Sequence, residues 1–336
     1  PLLALPALAG VALYYRLPLP SLLLLVWGLL VAFVLYWRPE TALLARRRHS
    51  QNVVATRAAE SVPRRRVVLL APLDTPPVMS KWVRLLADDM RPQLGRLVAY
   101  SLMLLFALLA LSAAVPLEVR RALWFGQFAP AAYLVALAGV ELWLLRAPST
   151  PGAVNHAGAL AVLLSSAEEL PALDQTELWA VALGATSSGA GLNDFLRRYP
   201  FDRDMTLFIG IESIGAGNLC YVTREGLLRE RPADPQLLQL AAAIDAADPL
   251  INAEPRAYRG EHTSAARLLH KGQRAMTIAC LETDGEAPLR GSLADTPAAI
   301  DAQMLERAMR LVVGLVRQID GSASPSAARD SQLLRR

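Results

Sequence analysis

The side chains best able to do chemistry in this 336-residue chain are scattered along it. Its four histidines, His49, His156, His262 and His270, lie far apart, and no His-Glu-x-x-His run sets two of them on one helical face. His156, Glu212 and His262 are the residues that could regroup around a single metal ion. His270, beside Lys271 at an expected helix end, suits the negative end of the helix dipole instead. Gly215-Ala-Gly217 lacks the third glycine of a dinucleotide turn, and Gly184-Ala-Thr-Ser-Ser-Gly189 lacks the Gly-Lys-Ser/Thr of a phosphate loop. Ile211-Glu-Ser-Ile-Gly215 approaches a nucleophile elbow but has Ile where the first glycine belongs. The two cysteines, Cys220 and Cys280, define neither a metal site nor a disulfide framework, and fit a reducing compartment.

The elements around these residues fall into two kinds. At 54% apolar the chain exceeds the roughly 45–50% of ordinary soluble domains, and the excess is concentrated. Ser21–Trp37 is uncharged and, with the Leu-Pro-Leu-Pro before it, long enough for a bilayer core. Pro1–Tyr15 is read as a truncated first span, making residues 1–37 a transmembrane hairpin. Leu97–Val115 and Gln127–Leu145 are a second pair, an inserted hairpin over 97–145, with Trp124 and Trp143 placed as interfacial anchors. Glu141 sits within the fourth span, one turn from its end, where it can snorkel toward Arg146. Arg38, Arg46, Arg47, Arg48, Lys81, Arg84, Arg91, Arg96 and Arg146 flank the spans on the globular side, against Arg16, Arg120 and Arg121 on the other. That asymmetry predicts a bacterial inner-membrane protein with its globular part in the cytoplasm. A net charge of +4 gives no case for nucleic acid.

The remainder, 50–96 and 147–320, reads as one α/β domain, a mixed central sheet with helices on both faces. Strands are expected at 52–56, 66–71, 178–185, 205–213, 218–223 and 275–282. Helices are expected at 158–170, 191–199, 236–247, 263–271 and 296–319, with an amphipathic helix at 81–96 lying on the membrane surface. Arg64, Arg65 and Arg66 read as a solvated turn within reach of anionic lipid headgroups. Residues 321–336 read as a flexible tail.

The segment order carries a resemblance. Ser-Gln-Asn-Val-Val-Ala at 50–55, Val-Val-Leu-Leu-Ala-Pro-Leu-Asp-Thr at 67–75 and Gly-Ala-Val-Asn-His-Ala-Gly-Ala at 152–159 come first. The runs at 178–189, 208–219, 260–264 and 289–297 follow. In this order they resemble the zinc-dependent aminopeptidase family, which also contains plasma glutamate carboxypeptidase-like enzymes, the transferrin receptor ectodomain and nicastrin. The resemblance covers residue 50 to about 320, interrupted by the inserted spans. It implies the family's fold and a site for two zinc ions, with a Glu as general base on the bridging water. Carried over position by position, the first His ligand falls on Pro72, while the Asp beside it is kept as Asp74. The bridging Asp falls on Asn155, the base on Thr186, the next Glu ligand on Ser187 and the final His on Gly291. The later Asp becomes Glu212, a carboxylate of longer reach.

A hydrolytic zinc site needs several ligands together and a titratable base. Most are missing here, so no catalytic residue, cofactor or metal is expected. The sequence therefore predicts a catalytically inactive, aminopeptidase-like membrane protein serving as a structural or assembly subunit, with membrane lipid and protein partners. One alternative is a divergent, zinc-dependent membrane aminopeptidase, which a chelator would inhibit. Another is a module that binds a small ligand or a peptide amino terminus through Asp74 and Glu212.

Overall fold

A computed structural model describes residues 50–75, 77–79, 146–186, 189–226, 230–258 and 263–323, with isolated positions at 26 and between 116 and 143. The chain divides into two compact units, Pro1–Arg47 with Met79–Pro148, and Arg48–Val78 with Ser149–Arg336. Among the described residues no helix is long and apolar enough to cross a membrane. The four expected spans, isolated positions aside, lie outside the described residues, as do Glu141, the expected helix at 81–96 and residues 324–336.

The second unit is built on one mixed sheet. Its strands are β1 (Val53–Arg57), β2 (Arg65–Pro72), β3 (Thr176–Leu183), β4 (Thr206–Glu212), β5 (Asn218–Glu225), β6 (Arg231–Pro232), β7 (Glu254–Ala257) and β8 (Ala275–Leu281). They lie in the order β1-β3-β2-β4-β8-β5-β6, with β7 paired to β5. β3, β2, β4 and β8 run parallel, and β1 and β5 join them antiparallel. Among the described residues five helices flank the sheet: α1 (Gly158–Glu169), α2 (Ala190–Arg198), α3 (Pro235–Ala247), α4 (Ser264–His270) and α5 (Ala302–Ala323).

The apolar run of β2 explains its central place. A strand buried on both faces has no polar side to alternate with, and Val67 to Ala71 are each at most 1% exposed. Val67 and Leu69 face the core built with α1, α3 and α5, while Val68 and Leu70 face the core containing Leu192 and Phe195 of α2 and Leu268 of α4. Two glycines let helices start hard against strand-end loops. A Cβ on Gly158 would lie 1.9 Å from the Ile214 carbonyl oxygen, and one on Gly191 would lie 1.8 Å from that of Gly184.

Several boundaries differ from the sequence reading. The helix expected over 296–319 begins only at Ala302. Pro297–Ala299 form a single 3-10 turn, Ile300 is extended, and the Asp301 carboxylate accepts from Gln303 N at 2.9 Å. The same helix runs on through Gly321 to Ala323, so the first residues of the expected tail are helical. Of the three arginines read as a solvated turn, two belong to β2. Arg66 pairs with Glu177 at 2.8 Å and lies over the rings of Trp179 and Phe201, and Arg65 donates to the Asp204 carbonyl at 2.8 Å.

The two cysteines sit on neighbouring strands one position out of register, Cys220 opposite Ala279 and Cys280 opposite Leu219. Successive strand residues point to opposite faces, so Cys220 packs with Val222 and Tyr258 while Cys280 enters the other core. Burial pushes the thiols up to about 11 for Cys220 and about 12 for Cys280. A thiolate-selective reagent therefore leaves the native protein unlabelled and modifies both cysteines only after denaturation. Rapid native labelling, or an internal disulfide on non-reducing electrophoresis, would contradict this register.

Candidate functional site

The polar residues singled out by the sequence converge where β2, β3 and β4 end. In open α/β sheets the carboxyl ends of parallel strands are where ligands gather. β2 ends at Pro72, which pairs with Leu183 and offers no metal-binding side chain. Two residues on, the Asp74 carboxylate accepts from Thr186 N at 3.1 Å and from Thr186 Oγ1 at 2.5 Å. The backbone between β3 and Thr186 is strained: Ala185 has φ +48°. Ser187 and His262 lie outside the described residues.

Asn155 lies in a five-residue π-helical turn, Ala153–Ala157, that leads into α1. Its Nδ2 donates to the Pro288 carbonyl at 3.0 Å and to Asp295 Oδ2 at 2.9 Å, and its Oδ1 accepts from Ser213 Oγ at 3.0 Å. Both amide hydrogens and the carbonyl oxygen are therefore committed within the protein. Asp295, fully buried, also accepts from Val154 N at 2.6 Å. His156 follows Asn155 in the same turn, beside Gly152. Gly291, where the final His would stand, has φ +66° in a turn closed by Ser292 N donating to the Leu289 carbonyl at 3.0 Å.

Glu212 ends β4. Its Oε1 accepts from Ser264 N at 2.9 Å, at the start of α4. Its residue surface keeps some solvent contact, yet desolvation by the packed surroundings raises the carboxyl to about 7, against the Ser264 N–H and the charges of Arg290 and Arg267, which lower it. Ser213, the next residue, has φ +51°, the left-handed backbone of a nucleophile elbow. No helix follows it, and its Oγ is buried against Asn155, so it is not an exposed nucleophile.

The sequence reading missed a further buried carboxyl, Glu225 of β5, which is fully buried. Thr263 Oγ1 donates to its Oε2, and Thr277 Oγ1 donates to its Oε1 at 2.9 Å. Thr263 also caps α4 by accepting from Ala266 N at 2.9 Å. Burial lifts Glu225 to about 7, opposed by the two threonine hydroxyls and reinforced by the charge of Glu212. Nothing in Thr-Arg-Glu at a strand end signals this, because α4 supplies the cover. Asp295 and Thr263 do lie in the quoted runs at 289–297 and 260–264, where His-equivalent positions drew attention instead.

A two-zinc centre does not fit these residues. Pro72 and Gly291 offer no donor, Asn155 is fully bonded, and the oxygens of Asp74 and Glu212 serve backbone and hydroxyl groups. Among the described residues no group of three or more His, Cys, Asp or Glu is placed to hold a metal ion. The single-ion cluster considered above includes His262, which lies outside the described residues.

Neither a protein-family model nor a curated protein sequence matches the chain. Solved structures do. A zinc aminopeptidase from Bacillus subtilis superposes with a TM-score of 0.52 at 12% identity, over 80% of this chain and 50% of that one. An aminopeptidase from Aneurinibacillus sp. strain AM-1 gives 0.49 at 16% identity, over 80% and 47%. Nicastrin, the gamma-secretase component, gives 0.47 at 10% identity, over 81% and 43%. The chain thus spans about half the length of these three solved structures. The second unit has the zinc-aminopeptidase fold, and at these identities the likeness extends to the fold alone.

Two predictions rest on the buried carboxyls. A carboxyl whose folded value is raised to about 7 keeps its proton where the unfolded chain, near 4.5, has lost it. Its contribution to stability therefore declines as pH rises from about 4.5 to about 7 and stays low above that. Glu225→Gln removes this residue's share of the slope, leaving that of Glu212, and lessens the loss of stability between pH 4.5 and pH 8 by about 3 kcal/mol. Thermal midpoints across that range test it, and an unchanged slope counts against it. Asn155→Asp would set a second carboxylate against Asp295, across the 2.9 Å contact. It lowers the midpoint at pH 7.5, recovers part of it below pH 5 and confers no zinc binding by elemental analysis.

Proposed function

We propose that the chain is a catalytically silent, aminopeptidase-like membrane protein that acts as a structural or assembly subunit of a larger membrane complex. The observation that carries this reading is the state of the strand ends. Positions where a two-zinc peptidase needs ligands and a base hold Pro72, Asn155, Thr186 and Gly291, and the remaining carboxylates are consumed by internal hydrogen bonds. A folded core is retained around them, so the chain keeps a surface while lacking the chemistry. The apolar segments at 1–37 and 97–145, with their flanking arginines, support a globular unit held on the cytoplasmic side of a bacterial inner membrane. Such a tether suits a fixed lateral partner.

A second reading has one observation in its favour. A groove of about 320 Å³ lined by Ser50, Gln51, Leu73, Asp74 and Gly184 opens beside the Asp74 carboxylate. A small cationic ligand could lodge there without any metal.

The test is purification of the native protein in a mild detergent, with mass spectrometry of whatever remains bound. The expected result is a reproducible stoichiometric partner and no aminoacyl-amide hydrolysis, with or without added zinc. A protein that purifies alone and shows chelator-sensitive peptidase activity would overturn the proposal.

A further inference from the structure

Away from the strand ends, the helical layer of the second unit carries a groove on its outer face. α5 packs against both α1 and α3. Where it passes the carboxyl ends of those two helices, a groove of about 570 Å³ opens over it. Met309, Val313 and Gly314 of α5 line it together with Ile244 and Ile251 from the α3 side. Gly314 brings the two sides close, since a Cβ there would lie 2.9 Å from Ile244 Cγ2. A further cavity of about 510 Å³ continues along α5 past Arg317 and Gln318 to Gly321 and Ser322.

Beside the groove stands a ridge. α3 turns Ala242, Ala243, Ala246 and Ala247 to solvent, and Leu250, just past its end, is 67% exposed. The three- and four-residue spacing sets those alanines on one helical face, so the ridge is narrow and apolar. The groove's rim carries both signs of charge. Arg310 pairs with Glu306 at 2.7 Å and with Asp248 at 3.7 Å, and Arg317 pairs with Glu169 at 3.4 Å. These side chains are well exposed, so the pairs hold weakly and can exchange partners across an interface. A polyanion would meet the three carboxylates, and a polycation the two guanidinium groups. A surface with the same mixture of signs suits them better.

We propose that this face pairs with the same face of a second copy of the chain, the α3 ridge of each lying in the α5 groove of the other. A two-fold interface needs a patch complementary to itself. A ridge beside a groove, rimmed by charges of both signs, is such a patch, and ridges into grooves is the way helices pack. α5 has 22 residues and is about 33 Å long. With α3 beside it the face offers about 700 Å² per copy, close to the roughly 800 Å² of a specific interface. The pairing uses the second unit alone. It rests neither on catalytic silence nor on a different subunit being bound.

The test is the protein mass of the full chain in mild detergent, by size-exclusion chromatography with light scattering corrected for bound detergent, over a wide range of concentration. Twice the chain mass is expected at high concentration, falling toward one on dilution. Ala246→Glu puts a carboxylate into the paired face once from each copy and weakens the dimer at least about tenfold. Its thermal midpoint stays at the wild-type value, because the position is an exposed one on a helix. Should that midpoint fall, Ala243→Glu on the same ridge is read in its place. Met205→Glu, exposed just before β4, leaves the mass unchanged. In the wild-type chain, amide exchange at 242–248 and 309–318 slows as concentration rises. The pairing is overturned by a single-chain mass at every concentration, by a dimer that the ridge variants leave intact, or by equal dissociation with Met205→Glu. Protection of those amides only when another protein co-purifies also overturns it.

Discussion

The structure turns on the Asn155–Asp295 pair. Asp295 is fully buried, and a buried carboxylate must be met by donors or it destabilises the fold by several kcal/mol. Asn155 meets it with an amide and Val154 with a backbone N–H, and this ties the loop carrying Asp295 to the turn that opens α1. A carboxylate at 155 would need a cation between the two to be tolerated. An amide needs none, so the choice of Asn over Asp at one position changes what the strand ends must contain.

The same logic repeats around the site with other neutral donors. Asp74 is met by a backbone N–H and a hydroxyl, Glu212 by a backbone N–H, and Glu225 by two hydroxyls. Neutral hydrogen bonds offset desolvation only in part, and the carboxyls of Glu212 and Glu225 accordingly rise to about 7. The alternative, full ionisation balanced by metal ions, demands ligands from several loops at once. Here the corresponding loops carry Pro72 and Gly291 instead.

The elements most legible in the sequence were those whose burial is local to the strand or helix. Val-Val-Leu-Leu-Ala in β2 and Ile-Gly-Ile in β4 read as strands, and the structure covers both faces of each. α3 was visible from its apolar spacing, with Pro235 at its first turn and Asp234 as its cap. β7 was not visible: Glu-Pro-Arg-Ala has neither alternation nor β-branched residues, and it pairs because it lies at an edge of the sheet, where a proline is tolerated. The π-helical turn and the late start of α5 at Ala302, after Asp301 N bonds the Gly215 carbonyl at 2.7 Å, depend on tertiary hydrogen bonds that no periodicity encodes. The site divides similarly. The segments that converge could be read in order, but the residues that bind one another, Asp295, Thr263, Thr277 and Glu225, could not, since each acquires its role from a partner distant in sequence.

Ser213 shows how a local signal and its chemistry can separate. Its near-elbow sequence and its φ of +51° both match the geometry that exposes a nucleophile at a strand end. What exposes a nucleophile, however, is the helix that follows, which lifts the side chain above the sheet and offers its N-terminal N–H groups. Here the chain turns instead into β5, with Cys280 N bonded to the Ser213 carbonyl at 2.9 Å and the hydroxyl turned down onto Asn155. The strain remains because Asn155 holds it from below, through backbone and side chain together. Left-handed backbone at a non-glycine residue costs about 1–3 kcal/mol and persists only where surrounding contacts over-determine it. At this strand end those contacts join β4 to the turn that opens α1, so the strain is explained by anchoring and needs no reaction to account for it.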